Sequence, residues 1–397
     1  MIRETLLRIL QTQTLPSPAP HEVGRAMMAD MAVAPGMATV LTGVRRCGKS
    51  TMQAQLARKS RRAFYCNFED TRLFEMTAAD FPLWLELLDE IAPASAAVFL
   101  DEVQEIAGWQ RLARTLLDRG RTVCITGSNA SLLGVGLGAK LTGRHLSHTV
   151  FPFCYSEYLA YTRQRRGAKS LEAFLGDGGF PMFLRTRQDE VLRELVRDIV
   201  QRDVVTRHGL REARGVMNLL LFLLANTGQP LSLQTLAKGL AMASVTRASQ
   251  YVAFLQDAYL LFAVPKYSAS FKKRVVAPPK YYAIDNGLRR ANSPQVTPDK
   301  GHRLENAVAL ELLRRKTEPC YAAEKDAWEC DFVAQGTAFQ VCWRLTEENK
   351  ARELRGLLAA KTHARAKRLV ILTLDQRQTL THDGAAIDIL PAWEWLE

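Results

Sequence analysis

Three things are missing from this 397-residue chain. It has no run of about 18 apolar residues, so no segment is predicted to cross a bilayer as a helix, and no membrane partner is expected. Its opening stretch, residues 1 to 10, is amphipathic and carries an acid, without a long apolar region or a small-residue cleavage site; this predicts a cytoplasmic protein. Its seven cysteines (Cys47, Cys66, Cys124, Cys154, Cys320, Cys330 and Cys342) include no C-x-x-C pair, and several fall in apolar strand patterns. They read as reduced, mostly buried thiols rather than as a zinc or disulfide framework.

What is present in excess is positive charge. Lys and Arg number 53 against 41 Asp and Glu, a formal net charge of +12. That balance favours a polyanionic partner, and it equally aids solubility. The length exceeds one ordinary core and suggests roughly two to four domains.

The stretch from Gly43 to Thr51, Gly-Val-Arg-Arg-Cys-Gly-Lys-Ser-Thr, fits the G-x-x-x-x-G-K-[ST] phosphate-binding loop. Its flanks have the required order: residues 37–42 form a short apolar, β-branched run that predicts a buried strand, and residues 51–58 are strong helix formers. Gly43 and Gly48 allow backbone angles that turn successive loop N–H groups, those of Arg45, Arg46 and Cys47 among them, toward one anion, while the helix N-terminus adds partial positive charge. Lys49 is placed to neutralise β- and γ-phosphate oxygens, with the Ser50 hydroxyl on magnesium and Thr51 beside it. ATP and Mg2+ are the implied ligands.

A second landmark points to hydrolysis. Residues 96–102, Ala-Ala-Val-Phe-Leu-Asp-Glu, form an apolar strand that ends in two acids. Asp101 is the expected magnesium ligand and Glu102 the base that takes the proton of an attacking water. The strand predicted over residues 62–68 ends in Glu69 and Asp70, which either brace the loop arginines or are plain solvated acids. The strand over 122–126 runs into Gly127, Ser128 and Asn129, where Ser128 and Asn129 are candidates to sense the γ-phosphate and position water. Strands alternating with helices predict a parallel three-layer α/β core whose ligands lie beyond the carboxyl ends of the strands.

The segments Gly43 to Ser50, Leu100 to Gln104, Thr126 to Ser128, Leu141 to Arg144 and Phe151 to Leu159 resemble the prokaryotic AAA+ ATPase family whose C-terminal half was long called a domain of unknown function. The resemblance spans almost the whole chain. It implies a homo-oligomer such as a hexameric ring and makes Arg144 a candidate arginine finger stabilising transition-state charge, from its own or a neighbouring subunit, against the alternative of a plain surface arginine. Residues 170–212 read as helices resembling the lid of AAA+ proteins, with Arg202 and Asp203 better matched to an intradomain ion pair than to a phosphate contact.

The next segment changes grammar. An apolar helix over 214–225, a short helix capped by Ser232, a third helix capped by Ser244, and strands over 259–264 and 280–284 predict a winged helix. Thr246, Arg247 and Gln250 lie on the polar side of the recognition-position helix, and Phe271, Lys272, Lys273 and Arg274 form a basic hairpin tip; all but Phe271 are candidate DNA contacts. Residues 300–397 resemble a restriction-endonuclease-like fold. Glu305, Glu329 and Asp331 are present, but the second element of that site reads Gln340-Val-Cys342, without its carboxylate or its lysine, which predicts an inactive module.

The expected organisation is an N-terminal helix and Pro-rich linker (1–20), an AAA+ core (21–165), a helical lid (166–212), a winged helix (213–285) and the endonuclease-like domain (286–397). The leading expectation is an ATPase that remodels or translocates duplex or branched DNA, by architectural likeness to the bacterial Holliday-junction branch-migration motor. The alternatives are an ATP-gated regulatory or defence scaffold that binds proteins, and an ATP-dependent nuclease.

Overall fold

A computed structural model describes residues 1–18, 21–31, 36–128, 141, 143–293 and 299–397. The chain divides into two compact units, Met1–Val150 and Phe151–Glu397, a boundary earlier than residue 165.

The first unit is built on a five-stranded parallel sheet. Its strands are β1 (Ala38–Thr42), β2 (Ala63–Asn67), β3 (Ala97–Asp101), β4 (Val123–Thr126) and β5 (His145–Thr149), in the order β2-β3-β4-β1-β5. β1, β3 and β4 are buried along their whole length. That is the pattern of central parallel strands covered on both faces. Around the sheet lie α1 (Arg3–Thr12), α2 (Lys49–Lys59), α3 (Phe81–Ile91) and α4 (Trp109–Asp118). Leu112, Ala113, Leu116 and Leu117 of α4 are buried at helical spacing, so its apolar stripe faces the sheet. Trp84 of α3 is fully buried and meets Phe64 of β2 edge-on, with centroids 5.7 Å apart. The N-terminal helix, which the sequence sets apart from the core, is built into it: Leu6, Ile9 and Leu10 join the same buried cluster. Just beyond that helix, Gln13 donates to the Asn67 carbonyl at 3.1 Å.

The second unit opens with helices α5 (Tyr155–Thr162), α6 (Ala168–Asp177), α7 (Pro181–Thr186) and α8 (Asp189–Asp198). α8 runs into a π-helical segment, Ile199–Thr206. Then come α9 (Arg214–Ala225), α10 (Leu233–Gly239) and α11 (Val245–Asp257). Ser232 and Ser244 cap α10 and α11, each accepting from the N–H three residues on, which satisfies a donor that the helix itself cannot.

Strands β6 (Leu261–Val264) and β7 (Lys280–Ala283) pair antiparallel. The connection between them is not a bare hairpin tip: Phe271–Val276 forms a short helix, α12, capped by Ser270. α13 (Asn286–Asn292) and α14 (Lys300–Arg314) lead to a mixed six-stranded sheet. Its strands are β8 (Cys320–Glu324), β9 (Trp328–Ala334), β10 (Thr337–Val341), β11 (Arg368–Thr373), β12 (Gln378–His382) and β13 (Ala385–Pro391), in the order β12-β13-β11-β10-β9-β8. α15 (Glu347–His363) buries Leu354, Leu357 and Ala360 against this sheet, and α16 (Ala392–Trp395) closes the chain. Among the described residues no helix is long and apolar enough to cross a membrane.

Candidate nucleotide site at the sheet edge

The parallel sheet carries three loops to one edge. β1 runs into the glycine-rich loop, β3 ends at Asp101 and Glu102, and β4 runs into Gly127 and Ser128. The loop is sterically committed. Gly43 has φ +140°, and a Cβ there would lie 2.1 Å from the Val150 carbonyl oxygen, so a side chain is excluded at that position. Gly48, at φ +104°, enters α2 as its N-cap.

Lys49 is buried and its ammonium donates to the carbonyls of Gly43 and Val44, both at 3.0 Å. The loop thus curls around the amine, which is held where phosphate oxygens would replace those carbonyls. Ser50 Oγ donates to Asp101 Oδ1 at 3.1 Å, a hydroxyl–carboxylate pair of the hard oxygen type that suits magnesium. Asp101 also accepts from the Tyr65 hydroxyl at 2.8 Å and from Thr126. Burial pushes the Asp101 carboxyl up from its ordinary value; the Thr126, Tyr65 and Ser50 hydroxyls oppose the shift, and the Glu102 charge adds to it.

Glu102 stands in left-handed backbone, φ 50° and ψ 48°, an uncommon state for a residue with a side chain. Its N–H donates to Thr126 Oγ1 at 2.9 Å, and its carboxylate accepts from the Gln104 amide. The same amide reaches Ser128 Oγ at 3.5 Å, whereas Gln104 Oε1 is buried without a protein partner. An orphaned acceptor beside the acid and the buried Ser128 suits an ordered water, so the residues present fit a nucleotide, its metal ion and a nucleophile.

The other expected residues fall as follows. Cys47 is buried, and its thiol donates to the Val150 carbonyl at 3.2 Å, so its contribution to a ligand is through its backbone N–H. Arg45 lies 3.7 Å from Glu69 and 4.0 Å from Glu105, while Asp70 turns away to Arg72 and Gln13. Arg46 and Thr51 are exposed. Arg144 donates to Asp118 Oδ1 at 2.7 Å within the same unit. Asn129 lies outside the described residues. The sequence reading missed Arg25, buried and donating to the Cys47 carbonyl at 2.9 Å, as well as Tyr65 and Gln104. No motif marks Arg25 or Tyr65; Gln104 sits two residues after the acid pair.

In the second unit, Thr246, Arg247 and Gln250 are exposed on α11, as are Lys272, Lys273 and Arg274 on α12. Phe271, Val275 and Val276 beside them are 71%, 66% and 75% exposed.

A family model described as an AAA domain matches residues 36–159, and a model for a domain of unknown function (DUF8612) matches residues 168–298. The first of these matches marks residues 36–159, which carry this sheet edge, as an AAA domain. An uncharacterized protein of Methanocaldococcus jannaschii, MJ1544, is 30% identical over 91% of this chain and 88% of its own length. The chain belongs to the same family as MJ1544. An uncharacterized protein of Haemophilus influenzae is also 30% identical, over 75% of this chain and 79% of its own. Among solved structures, the Aeropyrum pernix ORC1 protein in complex with DNA aligns at 13% identity with a TM-score of 0.33, covering 73% of this chain and 95% of that one. A STAND-type signal-transduction ATPase with a tetratricopeptide repeat sensor, from Pyrococcus horikoshii, aligns at 15% identity with a TM-score of 0.31, over 75% of this chain. The present chain spans 46% of that protein's length.

Proposed function

We infer that this protein is an oligomeric ATPase that couples hydrolysis to remodelling of, or movement on, DNA, with duplex or branched DNA as the substrate class. The observation that carries the reading is the convergence of Lys49, Ser50, Asp101, Glu102 and Ser128 on one sheet edge. Magnesium and ATP, when bound there, supply an electrophilic phosphorus with its charge partly neutralised. Lys49 takes the β/γ oxygens, and Ser50 and Asp101 hold the ion. Glu102 receives the proton of the attacking water, which Ser128 helps to orient. Arg144, freed from Asp118, reaches the site of a neighbouring subunit.

The DNA half of the reading rests on the second unit, taken as a lid, a winged helix and an endonuclease-like module. The exposed Thr246, Arg247 and Gln250 lie on the third helix of a three-helix-plus-two-strand array, and the exposed cations of α12 lie between its strands. A second reading, an ATP-gated scaffold for a protein partner, is favoured by the exposed Phe271, Val275 and Val276 beside those cations.

Turnover measured with and without linear duplex and a four-way junction tests the DNA assignment: stimulation by DNA supports it, and indifference to every DNA removes it. Mixing Arg144→Ala with Glu102→Gln subunits tests the oligomer. Each is nearly inactive alone, and partial rescue in mixed assemblies is expected only if an intact Arg144 completes a neighbour's intact Glu102 site.

A further inference from the structure

The site that the sequence describes as missing its lysine contains one. Lys280, the first residue of β7, points into the space between α14 and β9. Its Nζ is 2.6 Å from Glu329 Oε1, 3.2 Å from Glu305 Oε1 and 3.6 Å from Asp331 Oδ1, and its side chain is 1% exposed. Two of the acids also meet neutral donors, while the Glu329 side chain is 44% exposed. The Tyr282 hydroxyl donates to Glu305 Oε1 at 2.7 Å, and the Val341 N–H donates to Asp331 Oδ2 at 2.8 Å. Gln340, which stands where a metal-binding carboxylate would be expected, is turned to structural use: it accepts from the Asp331 N–H at 3.3 Å and donates to the Glu329 carbonyl at 3.4 Å.

Burial alone would drive the Lys280 ammonium toward its neutral form. The charges of Glu305, Asp331 and Glu329 outweigh burial and raise its pKa, favouring the ammonium form. Asp331 is pushed up to about 8 by burial and by Glu305, against the pull of Lys280. The ammonium sits at the point on which three carboxylates converge. Divalent cations take carboxylate oxygens at about 2.0–2.6 Å, and no set of three or more His, Cys, Asp or Glu among the described residues is arranged to hold one.

We propose that Lys280 is a built-in replacement for a divalent cation: its ammonium fills the convergence point of Glu305, Glu329 and Asp331, making the C-terminal module metal-independent and tying β7 to α14 and β9. The module accepts a metal ion at this point only when the ammonium is removed. The charge that a nuclease would borrow from solution is here part of the chain, and it cannot be lost to a chelator.

The test uses manganese as the probe, in the full chain without nucleotide, with free Mn2+ followed by electron paramagnetic resonance. The wild type is expected to show no site that depends on Asp331. Lys280→Ala is expected to gain one equivalent, bound about tenfold or more tighter than anything in the wild type, and Lys280→Ala/Asp331→Asn to lose it again. A buried acid cluster stripped of its cation can fail to fold, so Lys280→Met/Glu329→Gln, which removes one charge of each sign and keeps Glu305 and Asp331, serves as the companion variant. A gained equivalent in either folded variant supports the proposal. Absence of any gain in folded protein overturns it. So does a wild-type manganese site, or manganese-dependent DNA cleavage, that Asp331→Asn abolishes.

Discussion

The Gln104 side-chain amide donates to the Glu102 carboxylate and spans the gap from it to Ser128. A carboxylate in left-handed backbone is thus aimed by a neighbour only two residues away. Among the described residues the Gln104 amide bonds to Glu102 and Ser128 and not to the glycine-rich loop or Asp101, so its part is to position the base. Gln104→Ala is expected to lower kcat for ATP about tenfold while leaving the KM nearly unchanged. A rise in turnover would mean instead that Gln104 parks Glu102 away from the water.

Lys49→Ala and Glu102→Gln should separate binding from chemistry. The first removes the amine around which the loop curls, and nucleotide affinity should collapse. The second keeps every phosphate contact and removes the proton acceptor, so turnover should fall by about 10²–10⁴ with binding retained. Nucleotide affinity by calorimetry and steady-state phosphate release check the pair. Near-wild-type turnover in Glu102→Gln would overturn the assignment of the base.

The organisation of this edge was legible because phosphate-loop chemistry is local: the glycines, the lysine and the hydroxyl are consecutive, and the strand bearing Asp101 announces itself by apolar residues ending in acids. What escaped was set by distant packing. Lys280 lies 25 residues before Glu305 on a strand of another sheet, and no spacing rule connects them. α12 was read as a hairpin tip because its basic run suggested a turn, although Ser270 ahead of Phe271 offered a cap. The strands β12 and β13 went unread, since residues 378–382 are mostly exposed and lack a clean apolar alternation.

The cations of α12 should act as a group. Replacing Lys272, Lys273 and Arg274 together by Ala is expected to weaken DNA binding on all sequences alike. The plot of log affinity against log salt should flatten, by up to about 3 in slope if each cation meets one phosphate. Unchanged affinity and slope on both junction and linear duplex would move the contact elsewhere.

Asp285 gives a pH dependence whose sign can be stated. Burial pushes its carboxyl up to about 6, against the N–H groups of Gly179 and Leu288, which donate to it at 2.6 and 2.8 Å, and against the charge of Arg314. The unfolded value is about 3.9. Between these two values the folded protein holds the proton and the unfolded chain has lost it, so this group's contribution to stability falls as pH rises from about 4 to 6 and is constant above that. The full loss is on the order of 3 kcal/mol. Urea unfolding of the wild type against Asp285→Asn should show that downward slope in the wild type and a flatter profile in the variant.

The Cys47 thiol, pinned to the Val150 carbonyl and pushed up by burial, has a further consequence. In the closed loop it is neither ionised nor reachable, so an alkylating reagent can modify it only during moments when the loop lifts away from Val150. The rate of that modification, followed by mass spectrometry on the unaltered protein, is therefore a clock for loop breathing, and any ligand that clamps the loop should slow it.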